Sequence, residues 1–160
     1  MTAPALRIEV TGEAADQVDP SDHEAVVAAA CFAAAQLGLH PESELSVAFV
    51  SDDEMARLHE EWMDLPGPTD VLSFPMDELR PVQPGAMAEP GVLGDLVLAP
   101  AFIARQAAAH DATLRQELEL LTVHGMLHLV GYDHADAQEE HEMFGLQSRI
   151  LDGLRAEVDA

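Results

Sequence analysis

Three histidines in the last third of the chain constrain its fold more than any other feature. The segment reads Val123-His124-Gly125-Met126-Leu127-His128-Leu129-Val130-Gly131-Tyr132-Asp133-His134. An α-helix turns by about 100° per residue, so His124 and His128, four apart, fall on one face one turn apart. Gly131 can adopt the positive φ that stops a helix sharply. The reversal returns His134 toward the other two. Any fold of this chain must therefore gather a helix, a glycine stop and a returning segment around one point. Three imidazole nitrogens at that point leave a fourth position for water, as in a catalytic zinc site rather than a closed structural one. We expect one Zn2+ per chain, held by His124, His128 and His134.

The rest of the chain supplies a frame for that point. Leu6 to Val10 reads as a first strand. Ser21-Asp22-His23-Glu24 has the form of a capping box ahead of an alanine-rich helix carrying Val26, Val27, Ala30, Phe32 and Leu37, with Gly38 and Pro41 beyond its end. Leu45 to Val50 is β-rich. Ser51-Asp52-Asp53-Glu54 is a second box, opening a helix to about Trp62, and Leu65-Pro66-Gly67-Pro68 breaks it. Val71 to Phe74 and Leu93 to Leu98 read as two more strands. Residues 75–91 between them hold four prolines and two glycines and read as one long loop. Pro100 opens a helix ending near His110. Thr113-Leu114-Arg115-Gln116 is a third box, heading the histidine helix that runs to about Val130. Asp136-Ala137-Gln138-Glu139 caps a last helix with Met143, Leu146, Ile150 and Leu154 on its apolar stripe. The order β-α-β-α-β-β-α-α-α belongs to the α+β class. We expect a small mixed four-stranded sheet packed with about five helices, in one domain of 160 residues.

Charge narrows the function. There are 30 acidic residues, seven arginines and no lysine, for a formal charge of −23. Such a surface repels phosphate backbones at long range. Any nucleic-acid role must rest on local arginines, a metal ion or a basic partner. No apolar run reaches bilayer length. The start, Met1-Thr2-Ala3-Pro4-Ala5-Leu6-Arg7, lacks an export signal, so a cytoplasmic enzyme is expected. Cys31 is the only cysteine, which leaves no internal disulfide and no cysteine-based zinc site, and it reads as a small buried apolar residue. His23, His40, His59, His110 and His141 lack ligand spacing. They read as surface or packing residues, with His141 kept as a candidate supporting group.

The spacing of His124, His128, Gly131 and His134 matches the metzincin zinc-protease pattern, H-E-x-x-H-x-x-G-x-x-H, with one departure. Gly125 stands where those proteases carry the glutamate that takes a proton from water. The metal geometry is present and the protease base is absent. The segment as a whole resembles the signature of the YbeY family, bacterial single-domain endoribonucleases. Pro68-Thr69-Asp70-Val71-Leu72-Ser73-Phe74-Pro75 is similar to that family's central segment, and Leu93-Gly94-Asp95-Leu96-Val97 to its later strand. The capped helix after Val50 also agrees.

That resemblance implies a zinc-dependent, single-strand-specific endoribonuclease. It would act in ribosomal RNA maturation, at the end of the small-subunit RNA, and in ribosome quality control. Implied partners are ribosomal RNA, the ribosome and small-subunit assembly proteins, with the Era GTPase a candidate among them. Neither membrane nor DNA is implied. Asp70 and Asp95 lie in the resembling segments near strand ends and are the candidate catalytic carboxylates. Asp133 is a candidate for orienting a histidine ligand. Many members carry an arginine shortly before the Thr-Asp pair, where this chain has Met63. No arginine occurs between Arg57 and Arg80, and the role passes to no residue by resemblance. A metalloprotease and an assembly factor with structural zinc are the rival readings.

Overall fold

The computed structural model describes residues 6–82, 86 and 88–159. Four strands, β1 (Arg7–Thr11), β2 (Glu44–Phe49), β3 (Val71–Pro75) and β4 (Val92–Leu98), form one sheet in the order β1-β2-β4-β3. Parallel pairing of β1 with β2 requires a crossover, which α1 (Pro20–Gln36) provides. β2 pairs in parallel with β4, across a crossover that includes α2 (Asp52–Met63), and β3 runs antiparallel to β4. The sheet is mixed, as expected. α3 (Pro100–Ala109), α4 (Leu114–Leu129) and α5 (Ala137–Asp159) complete the α+β fold. A 3-10 turn at Ala15–Gln17 was not foreseen. Most of the long loop after Pro75 is described, but Gln83, Pro84, Gly85 and Met87 lie outside the described residues.

The capping signals divide by what their side chains meet. Thr113 closes a full box: its Oγ1 accepts from the Gln116 amide at 3.1 Å, while the Thr113 amide donates to Gln116 Oε1 at 2.9 Å. Such a cap contributes about 1 kcal/mol. Ser51 closes half a box, accepting from the Glu54 amide at 3.2 Å. The Glu54 carboxylate turns instead to Arg57, at 2.6 Å. The box at Ser21 does not form. α1 opens two residues earlier, at Pro20, with Asp19 as N-cap and no side-chain cap bond. Proline suits a first helical position because its φ is preset and its missing N–H would have no partner there. α2 ends at Asp64 in the left-handed region, φ 56°, before the Pro-Gly-Pro segment begins.

α4 is the central helix. It packs on β3 and β4 and touches α1, α3 and α5. Its Leu118, Val123, Met126, Leu127 and Leu129 are fully buried with Leu45, Val47 and Phe49 of β2 and Leu96 and Leu98 of β4. Burying one such side chain contributes about 1.5–3 kcal/mol. A smaller cluster on the opposite face joins Met55 of α2 to Leu72 and Val97. Cys31 is half-buried against the main core, and burial pushes its thiol pKa up, so it stays protonated and unreactive. Among the described residues, no helix is long and apolar enough to cross a membrane.

Candidate metal centre

α4 ends in a tight reversal that sets the geometry of the site. The Tyr132 amide donates to Leu127 O at 3.0 Å and the Gly131 amide to His128 O at 3.1 Å. This paired pattern is a Schellman motif, and it uses the positive φ of Gly131, 100°. The chain then turns back, and the Asp133 carboxylate accepts from the His134 amide at 2.7 Å. Asp133 therefore shapes the backbone of the third histidine rather than orienting an imidazole through its ring.

The reversal brings the expected ligands together. One ring nitrogen from each of His124, His128 and His134 lies within 4.8 Å of the others. The carbonyl of Tyr132 can only accept, so His128 Nδ1, 3.0 Å away, must carry the proton. Its Nε2 is then a bare lone pair. His124 Nδ1 lies 2.8 Å from Gln147 Oε1 on α5, which leaves its Nε2 bare in the same way. These two lone pairs face each other at 3.1 Å. Two nitrogens on one tetrahedral zinc at about 2.0–2.1 Å would be about 3.4 Å apart, so the spacing fits a pair flanking one cation. Burial, and then the neighbouring His124, hold the pKa of His128 below the usual histidine value. The neutral, ligating form is thus favoured near neutral pH. Phe144 of α5 lies nearly parallel to His124 and His134, at 6.0 and 5.7 Å between ring centres.

Gly125 has its own reason to be glycine. A Cβ there would stand 2.6 Å from Leu96 Cδ2 and 3.1 Å from Ser73 Oγ. Leu96 is fully buried and Ser73 donates to the Gly125 carbonyl at 3.3 Å, so neither can move freely. The helix rides directly on the sheet, and a glutamate at this position would force buried Leu96 to shift. The packing therefore counts against the protease reading.

A cavity of about 890 Å³ opens beside the histidines, with His124, His128, Asp70, Gln106, Glu117 and Tyr132 in its wall. Asp70 is fixed at its edge: Oδ1 accepts from the Val71 amide at 2.7 Å, and Oδ2 accepts from Gln106 Nε2 at 3.1 Å. Gln106 also approaches buried Glu117, at 3.3 Å. Asp95 is not brought to the site. It lines a separate cleft with Arg7, Glu9, Glu44 and Ser46. Its neighbour Leu96 points at α4, so alternation along the strand turns Asp95 to the other face. His110, expected to be a surface or packing residue, stands in the cavity wall with Nδ1 3.8 Å from Glu117 Oε1. His141 stays on the exterior of α5, outside this wall.

Gln147, Phe144, Gln106 and the Tyr132 carbonyl escaped the sequence reading. Phe144 and Gln147 are three apart and so share one face of α5. That spacing gives no hint of which element the face meets.

Comparison with known proteins places these features in a lineage. A family model described as Endoribonuclease YbeY matches residues 9–155. A Thermobifida fusca protein named Endoribonuclease YbeY is 50% identical over 140 residues, 88% of this chain and 90% of its own. A Streptomyces coelicolor protein of the same name is 50% identical over 155 residues, covering 95% and 92%. An Acidothermus cellulolyticus protein, also so named, is 57% identical over 126 residues, covering 76% and 77%. The solution structure of a Thermotoga maritima protein aligns with a TM-score of 0.65 at 25% identity, over 95% of this chain and 91% of that one.

Proposed function

The chain belongs to the YbeY endoribonuclease family, and on that premise we propose that it is a zinc-dependent endoribonuclease acting on single-stranded RNA. The observation that carries this reading is the pair of imidazole Nε2 atoms held 3.1 Å apart at the wall of an open cavity. His124, His128 and His134 would hold the ion, an all-nitrogen set that suits Zn2+ and leaves a coordination position open. When bound, zinc supplies Lewis acidity toward water and toward a phosphoryl oxygen.

The chain's own groups do the rest. The Tyr132 carbonyl and Gln147 hold His128 and His124 in the tautomer that presents Nε2. Phe144 flanks His124 and His134 with its ring nearly parallel to theirs. Asp70, anchored by the Val71 amide and Gln106, is the group that takes the proton shed by the attacking oxygen. Residues 1–160 act as one catalytic domain in this reading, in the cytoplasm. The biological role that follows from the family is maturation of the small-subunit ribosomal RNA end and ribosome quality control. The ribosome, its small-subunit assembly proteins and the Era GTPase are the corresponding partners.

The test uses the full chain stripped with chelator and reloaded with zinc. Wild type should bind about one zinc per chain and cleave a labelled single-stranded RNA but not casein. His128→Ala keeps the helix, since alanine is the best helix former. It should lose its zinc and at least about a hundredfold in cleavage rate. His40→Ala, outside the cavity wall, should keep both. Loss of zinc with cleavage unchanged would make the metal structural and replace this reading with the assembly-factor one.

A further inference from the structure

Arginines are the chain's only permanently charged basic side chains, and among the described residues none lines the cavity wall. A phosphodiester strand crossing that wall needs donors and positive charge at its non-bridging oxygens. Four of the seven arginines are already committed to carboxylates. Arg7 meets Glu42 at 3.5 Å, Arg105 meets Asp52 at 2.5 Å, and Arg115 meets Glu119 at 3.6 Å. Arg57 is held between Glu54 and Glu61, each at 2.6 Å. Arg155 is on α5, and Arg149, also on α5, lines a different cleft with His141 and Glu142.

Arg80 differs from the other six in where it stands. It lies on the loop between β3 and β4, is exposed, and, like Arg149 and Arg155, makes no ion pair among the described residues. Its guanidinium rests on Gly131, in the turn between His128 and His134. A Cβ built on Gly131 would lie 3.0 Å from Cζ and Nε of Arg80 and 3.3 Å from its Cδ. Gly131 itself is part of the cavity wall. One Nη1 hydrogen goes to the Leu79 carbonyl at 2.9 Å, which steadies the group without using its charge. The absence of a side chain at Gly131 thus does two things. It permits the helix-ending φ, and it seats a guanidinium beside the metal ligands.

We propose that Arg80 is the phosphate-binding residue of this site, holding a backbone phosphate of single-stranded RNA where the strand leaves the cavity over Gly131. The inference rests on the endoribonuclease reading and adds to it the residue that grips the substrate. A guanidinium fork matches the geometry of two phosphate oxygens better than an ammonium does. In a chain of net charge −23 an unpaired cation at the rim has a large relative effect.

Arg80→Gln, Arg80→Lys and Arg57→Gln are compared with wild type as full-length, zinc-loaded proteins. The probes are a 2′-O-methylated single-stranded RNA for binding by fluorescence anisotropy and the unmodified RNA for cleavage. Arg80→Gln should weaken binding about tenfold and flatten the log–log salt dependence of affinity by about 0.7, the contribution of one single-strand phosphate. KM should rise with kcat and zinc content nearly unchanged. Arg80→Lys should restore the salt slope but only part of the affinity. Arg57→Gln should change none of these. Unchanged affinity and slope in Arg80→Gln would overturn the assignment alone, as would a variant that loses zinc or kcat while binding RNA normally, which would make Arg80 a support for the turn. A wild type that neither binds nor cleaves RNA would remove the endoribonuclease reading itself.

Discussion

The β3–β4 pair presents different chemistry on its two faces. On one face Ser73 and Leu96 meet Gly125 of α4, and the cavity with the histidines opens along the same side. On the other, Phe74 meets Trp62 of α2 edge-on, Val97 packs near Met55, and Asp95 lines a cleft of about 400 Å³. Among its described lining residues that cleft has three carboxylates, Glu9, Glu44 and Asp95, but no histidine. Asp70 and Asp95 looked equivalent because both sit near strand ends in segments resembling the family. The difference teaches that a carboxylate inside a strand has its face assigned by alternation, whereas one just ahead of a strand is free to be aimed by its neighbours. Asp95 is within β4, one residue from Leu96. Asp70 precedes β3 and is turned by the Val71 amide and Gln106.

Neutralising each carboxylate in turn should separate the two faces by the largest effect. Asp70→Asn should lower kcat for RNA cleavage by about 10²–10⁴-fold, the usual contribution of a positioned general base, with zinc content retained. Asp95→Asn should stay within about twofold of wild type, as exposed or half-buried substitutions away from a site generally do. Equal losses in the two variants would mean that the two faces are coupled. Comparable rates in Asp70→Asn and wild type would free the proton-acceptor role for another group.

A smaller effect is expected from the α5 side of the cavity. Gln147→Ala removes the partner of His124 Nδ1 and releases that ring to turn. Zinc affinity, measured against a competing chelator, should fall about 10–100-fold with helix content unchanged. An unaltered affinity would show that Phe144 and the packing of α4 orient His124 without help.

The smallest effect is one of pH. His128 has a folded-state pKa below the unfolded value of about 6.5, chiefly through burial. In the metal-free protein the unfolded chain therefore binds more protons at this residue than the folded one does, in the window just below pH ~6.5. The contribution to stability is fully present above that value and is lost as pH falls through the window toward the folded pKa. The melting temperature of chelated wild type should drop more between mildly alkaline and mildly acidic pH than that of His128→Gln. Parallel profiles would place no titrating strain at His128.

Sequence patterns close to each other along the chain were legible to within a residue or two. The Thr113 cap, the α4 stop at Gly131 and the three histidines span about ten residues or fewer, and the four strands show as short β-rich runs, so local spacing encodes them. The Ser21 box misled because a capping pattern and a first-turn proline compete for the same helix start, and Pro20 prevailed. His110 is at the surface, as expected, and its place in the wall formed where α3 hands over to α4 has no local signal.

The chain's order of residues alone determined that His124, His128 and His134 would meet at one centre, because a helical turn and a glycine reversal are local geometry. Which groups surround that centre was settled only by tertiary packing. Gln147 arrives from 23 positions away, Ser73 reaches Gly125 from 52, and Gln106 reaches Asp70 from 36. Such partners have no local signal. They meet because burying the apolar faces of α4, α5 and the sheet leaves one arrangement in which those side chains touch, and burial is blind to sequence distance.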